Sequence, residues 1–163
     1  MLLVSRCLLG ENCRYNGKSK PNQAVIDFLR DKKIGVDYLP ICPETDGRLP
    51  IPRPAGEIIG GCAAAVWAGE AKIKNQQGDD YTEGFIAGAK IACTLAEKYH
   101  ATAALLKENS PSCGVHYVHS GHFNGDLQPG QGVAAHALAQ LGLKLFSEDE
   151  LPELLAYLEQ EIE

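Results

Sequence analysis

Four short apolar runs recur along the chain: Met1–Val4, Val36–Ile41, Ala101–Leu106 and Leu143–Phe146. Each is too short for a helix and reads as a strand. The stretches between them show helical periodicity. Asn22–Lys32 sets Val25, Ile26, Phe28 and Leu29 on one face, with Asn22 as cap. Thr82–Tyr99 repeats the pattern through Phe85, Ile86, Ala89, Ala92, Cys93 and Ala96, with Thr82 as cap. Gly132–Leu141 is a further helix. Ser147 and Glu150 form a capping box ahead of a last one that reaches Glu161. Strands alternating with helices predict an α/β fold: a mainly parallel sheet flanked by helices, Rossmann-like and three-layered, with right-handed crossovers. In such sheets ligands bind outside the carboxyl ends of the strands. The expected site is therefore at the C-terminal strand edge.

The remaining segments are less regular. Five prolines between Pro40 and Pro54 predict an irregular loop with restricted backbone. Ala63–Val66 and Ala71–Lys74 suggest a hairpin around Ala68-Gly69, and Tyr117–Phe123 with Gly125–Gly132 a polar hairpin or loop. At 163 residues the expectation is one domain, 1–163. Lys plus Arg number 15 against 21 for Asp plus Glu, a net charge of −6 that offers no general attraction to phosphate backbones or anionic lipid. The expected partner is a small molecule, with no nucleic acid and no membrane. The start, MLLVSRCLLG, has no basic n-region and is interrupted by Arg6, so no secretory signal is expected. The least polar stretch, IIGGCAAAVWAG, falls far short of the ~20 residues that span a bilayer. A cytoplasmic location with reduced thiols follows as the expectation.

Those thiols are the unusual feature, six of them without a CxxC pair. Three predicted strands each run into a cysteine: the first into Ser5-Arg6-Cys7, the second into Ile41-Cys42-Pro43-Glu44, the third into Lys107 through Cys113. At one sheet edge Cys7, Cys42 and Cys113 converge despite their separation in sequence. Cys93, on an apolar helix face, and Cys62, among alanines, read as buried structural thiols. Cys13, six residues after Cys7 in the same loop, is ambiguous between a ligand and a mere neighbour of the site. Three thiolates can hold a metal or an iron–sulfur cluster and leave one coordination position open to substrate. Glu44 and Ser110 then lie beside that position, a carboxylate for proton transfer and a hydroxyl for a developing anion. His116, His119 and His122 recur every third residue, but Ser120-Gly121 predicts a turn that scatters their rings. Gly125–Gly132 lacks the Lys-Ser/Thr of a phosphate-binding loop. Arg53 and Glu57 pair with each other or line the pocket, and the acidic segment from Glu148 reads as a solvated helix face.

The blocks SRCLLGENCRYNG, PICPETDGRLPIPRPAGEI and LLKENSPSCG resemble the thiouracil desulfidases, a family formerly known only as a domain of unknown function. The resemblance continues in order through GDDYTEGFIAGA, YVHSGHFNGDLQPGQG and LKLFSEDEL. It implies a [4Fe–4S] cluster held by Cys7, Cys42 and Cys113, with one iron not ligated by protein, and a catalytic acid and hydroxyl at Glu44 and Ser110. The implied reaction removes sulfur from 2-thiouracil or a related thionated heterocycle, releasing sulfide without net redox change. The chain departs from the family pattern at Asn16, at Ala55-Gly56, and at Arg6, which replaces a small residue before Cys7. None of these falls on an implied ligand. Two other readings stay open on the residues alone. One is a cluster-free hydrolase or transferase with Cys113 as nucleophile; the other is a non-enzymatic, cluster-bearing sulfur-binding protein.

Overall fold

The computed structural model describes residues 1–162. Strand β1 (Leu2–Ser5) leads through a 3₁₀ turn, Arg6–Leu9, to α1 (Gln23–Arg30) and β2 (Tyr38–Ile41). Then come α2 (Pro43–Asp46), β3 (Glu57–Ile59), α3 (Ala63–Trp67), β4 (Lys72–Lys74) and α4 (Thr82–Lys98). The chain continues with β5 (Ala103–Leu106), β6 (Tyr117–His119), β7 (Leu127–Pro129), α5 (Val133–Gln140), β8 (Lys144–Ser147) and α6 (Leu151–Ile162).

The main sheet runs β2-β1-β5-β8, all parallel, with Ser5 opposite Ile41 and Val4 opposite Leu105. Every residue of β1 and β5 is buried, which is why these strands read as unbroken apolar runs. Leu2, Val4, Ala103 and Leu105 face Val25 and Leu29 of α1 and Leu154 of α6. Leu3, Ala104 and Leu106 face Ala92 and Ala96 of α4 and Ala135 and Leu138 of α5. The expected three layers are present. Fully burying a Leu stabilises by about 1.5–3 kcal/mol, so these clusters fix the sheet. From β1 the chain winds first to β2 and later to β5 on the other side. The carboxyl end of β1 is therefore a topological switch point, where a crevice opens.

Asn22 caps α1 as its sequence predicts, its side chain accepting the Val25 N–H at 3.1 Å. Other expectations are corrected. Ala63–Val66 is not a strand: it belongs to α3, and β4 pairs antiparallel with β3 instead. Alanine is the strongest helix former, whereas β3 supplies the β-branched Ile58 and Ile59. Thr82 does not cap α4; its hydroxyl accepts the Ile73 N–H at 2.9 Å, and Tyr81 stands at the cap position. The Pro-rich loop contains the one-turn helix α2. Half of the expected capping box forms: Ser147 N–H donates to Glu150 Oε1 at 3.0 Å, but the Ser147 hydroxyl accepts from Asp149 N–H at 3.3 Å instead of from Glu150, and α6 begins only at Leu151. The hairpin expected between Tyr117 and Gly132 is present as β6–β7.

Two contacts shape the crevice. The backbones of α2 and α4 touch: a Cβ on Gly88 would lie 1.7 Å from the Pro43 carbonyl oxygen. Over the sheet edge, the β3–β4 pair and the β6–β7 hairpin lean together where a Cβ on Gly121 would lie 2.6 Å from the Ile58 oxygen. No described helix is long and apolar enough to cross a membrane.

Candidate active site

A cavity of about 500 Å³ opens at the switch point, lined by Cys7, Cys13, Cys42 and Cys113 together with Glu44 and Ser110. The parallel register brings Cys7, Cys42 and Cys113 from three adjacent strand ends, β1, β2 and β5, to that one space. All four thiols are buried. Cys42 occupies the cap position of α2, its N–H donating to Asp46 Oδ2 at 3.3 Å. Arg6 Nη2 donates to Asp46 Oδ1 at 2.9 Å, tying the Cys7 turn to α2. The Cys42 thiol donates to Thr45 Oγ1 at 3.3 Å, and that hydroxyl donates to the Cys13 carbonyl at 3.3 Å. On the third strand end, Lys107 N–H donates to Ser5 Oγ at 3.0 Å.

Glu44 projects from α2, and its Oε2 is 3.2 Å from Arg53 Nη2, whose side chain is 1% exposed. Burial raises the Glu44 pKa, while the Arg53 charge opposes that shift. Arg53 thus pairs with Glu44 and not with Glu57. Ser110 Oγ accepts the N–H groups of Ser112 at 3.1 Å and Cys113 at 3.0 Å, which turns the chain to present Cys113. Its own proton stays free to be donated. The loop carrying both residues is gathered by Glu108 Oε1, which accepts from Val115 (2.8 Å), His116 (2.9 Å), Tyr117 (3.1 Å) and Asn109 (3.3 Å). Sequence reasoning missed Glu108: a carboxylate collecting amides up to nine positions ahead has no local signature. Glu148 is likewise no solvated tail residue. It accepts the Glu108 N–H at 2.7 Å and pairs with Lys107 at 3.2 Å.

Other candidates separate. Cys62 is exposed, against the expectation of burial, because it sits at the start of α3 ahead of the helix's inward face. Cys93 is partly buried against the α4–α5 core, as its helix face predicts. His116 pairs with Glu150, His122 is exposed and His119 lines the cavity with Nδ1 buried and without a partner. Among the described residues no three His, Cys, Asp or Glu side chains are placed to hold a single metal ion.

The thiols suit a polynuclear group better. An iron–sulfur cluster has its irons at separate corners and is held by soft thiolates spread around it, as several buried cysteines on one cavity provide. Burial pushes the Cys113 thiol up to about 12. Cys13 is pulled down by its hydrogen bond to Cys42, pushed up by that to Cys7 and by burial, and ends at about 11. Its hydrogen bond to Cys13 and burial push Cys42 upward. A free nucleophilic cysteine needs the opposite setting, a lowered pKa. Thiols held protonated in this way become ligands when a bound metal displaces the proton.

The sequence profile of the 2-thiouracil desulfurase family matches residues 2–150. The chain belongs to this family. It is 41% identical over 155 residues to the uncharacterized protein YbbK of Bacillus subtilis (strain 168), covering 95% of this chain and all of that one. The solved structure of a [4Fe-4S]-dependent thiouracil desulfidase, TudS, superposes with a TM-score of 0.84 at 37% identity. That match covers 98% of this chain and 97% of TudS. The fold expected from the strand–helix alternation is therefore that of the family.

Proposed function

We propose that the chain is an iron–sulfur-dependent desulfidase that removes sulfur from 2-thiouracil or a related thionated heterocycle, with Cys7, Cys42 and Cys113 holding a [4Fe–4S] cluster. The observation that carries the reading is the convergence of three strand-end thiols on one cavity that also presents Glu44 and Ser110. A cluster bound through three cysteines supplies a Lewis-acidic iron with a position open to a soft thiocarbonyl sulfur.

The protein's own groups do the rest. Glu44 accepts the proton of the water that attacks the thiocarbonyl carbon, and Arg53 holds the carboxylate in place from behind. The hydroxyl proton of Ser110 is donated to the charge that develops on the substrate. In the cavity between the sheet edge and the two outer strand pairs, Glu44 orients the water that attacks the carbon. The net reaction, thiouracil plus water giving uracil plus hydrogen sulfide, needs neither oxidant nor reductant.

The test is to incubate anaerobically reconstituted protein with 2-thiouracil and measure uracil and sulfide. Equal amounts of both, with no added reductant, are expected. Consumption of thiouracil without sulfide, or a requirement for a reductant at each turnover, overturns the reading.

A further inference from the structure

Among the lining residues to which the reaction gives no task, Phe123 has the most constrained backbone. Phe123 adopts φ +54°, in the left-handed region where a bulky side chain is strained. Its conformation is enforced from several sides. Glu57, buried at 7% exposure, accepts the Gly121 N–H at 2.9 Å and the Phe123 N–H at 3.3 Å with the same Oε1. Ser120 N–H donates to the Asp126 carbonyl at 2.8 Å, and Gly121 lies directly on Ile58. Strain of this kind persists only where surroundings over-determine it, and it gathers at ligand sites. Packing does not account for the ring: among the described residues Phe123 belongs to none of the three hydrophobic clusters, yet it lines the cavity with the four thiols.

We propose that the Phe123 ring is the platform on which the flat heterocycle stacks, making it a specificity-determining residue that selects planar substrates and orients them toward Glu44 and Ser110. This rests on the cavity's being the desulfidase site. The cavity, at about 500 Å³, is roomy for one pyrimidine ring, so a wall is needed to fix the plane of the substrate. An aromatic face suits any such ring, because every base presents a π-face. The buried Glu57 carboxylate acts through Phe123, as a positioning residue.

The experiment compares reconstituted parental protein with Phe123→Gly and Phe123→Leu. It measures iron per chain, melting temperature, the equilibrium dissociation constant for 2-thiouracil and sulfide release. Glycine accepts φ +54° without strain, so Phe123→Gly is expected to keep its iron, melt no earlier than the parent and bind 2-thiouracil roughly 5- to 150-fold more weakly, the equivalent of the ~1–3 kcal/mol by which a base is held on an aromatic ring. Phe123→Leu, apolar but without a π-face, is expected between the two. Unchanged binding in Phe123→Gly overturns the proposal, and so does parental binding in Phe123→Leu. A glycine variant that melts early and loses iron also overturns it, since the ring would then be a packing element. Sulfide release separates this inference from the function: a parent that binds 2-thiouracil through Phe123 but releases no sulfide refutes the desulfidase reading alone.

Discussion

The sheet edge carrying Cys7, Cys42 and Cys113 and the hairpin wall carrying Phe123 line the same cavity but are built on different scales. Cys7 and Cys42 follow their strands within two residues and Cys113 follows β5 after a short loop, and the strands are fixed by the two hydrophobic clusters on either face of the sheet. The hairpin wall rests on three-residue strands, one buried carboxylate and one glycine contact. Core-anchored elements suit groups whose geometry must be exact for chemistry, whereas a turn held locally by a few hydrogen bonds suits contact with the ligand. Damage to the first wall should abolish the reaction, and damage to the second should weaken binding.

The widest separation is expected at the thiols. Cys7→Ser, Cys42→Ser or Cys113→Ser should each remove the cluster's visible absorption and all sulfide release, while Cys62→Ser, on an exposed side chain, changes neither. A Cys42→Ser protein that loads a full cluster would break the assignment. Next come the groups beside them. Glu44→Gln should retain iron and lose about 10²–10⁴ in rate per cluster, the range of general-base assistance. Ser110→Ala should lose about 10²–10³ per cluster, the range for one donor to a developing anion. Parental rates per mole of intact cluster would reduce both to structural residues.

Much of the first wall is legible in the residues themselves. β1 and β5 are buried on both faces, so their apolar runs announce a parallel sheet, and the cysteines simply follow. The position of Glu44 two residues after Cys42 is equally local. Its partner is not: Arg53 reaches Glu44 because the Pro-rich loop folds back after α2, and that path depends on α2 resting on Gly88 of α4. The second wall is hidden from local pattern for a related reason. β3 and β4 pair across an intervening helix, a long-range pairing that hairpin spacing cannot signal, and Glu57 and Glu108 collect amides far from their own positions in the chain.

Two smaller effects sharpen the contrast. Gly88→Ala forces a methyl group onto the Pro43 oxygen, so α2 must shift; a loss of about 1–3 kcal/mol in stability is expected, with a fall in rate per cluster. Denaturant unfolding beside iron-normalised turnover checks it, and an unshifted rate would detach α2 from the chemistry. Glu57→Gln keeps an acceptor for Gly121 and Phe123 but loses its charge, at a cost of about 1 kcal/mol in stability. It should leave cluster content and maximal rate intact while raising KM for 2-thiouracil a few-fold, as steady-state kinetics would report. A fall in maximal rate with unchanged KM would place Glu57 with the first wall.

The most direct measurement of the central claim is to count iron and acid-labile sulfide per chain across a series of preparations with graded reconstitution, and to record sulfide release from 2-thiouracil on each. The account predicts release that rises in proportion to intact [4Fe–4S] cluster and vanishes in iron-free protein, where Cys113 stays a protonated thiol. Release that continues at full rate without iron would contradict it and assign the chemistry to a bare cysteine.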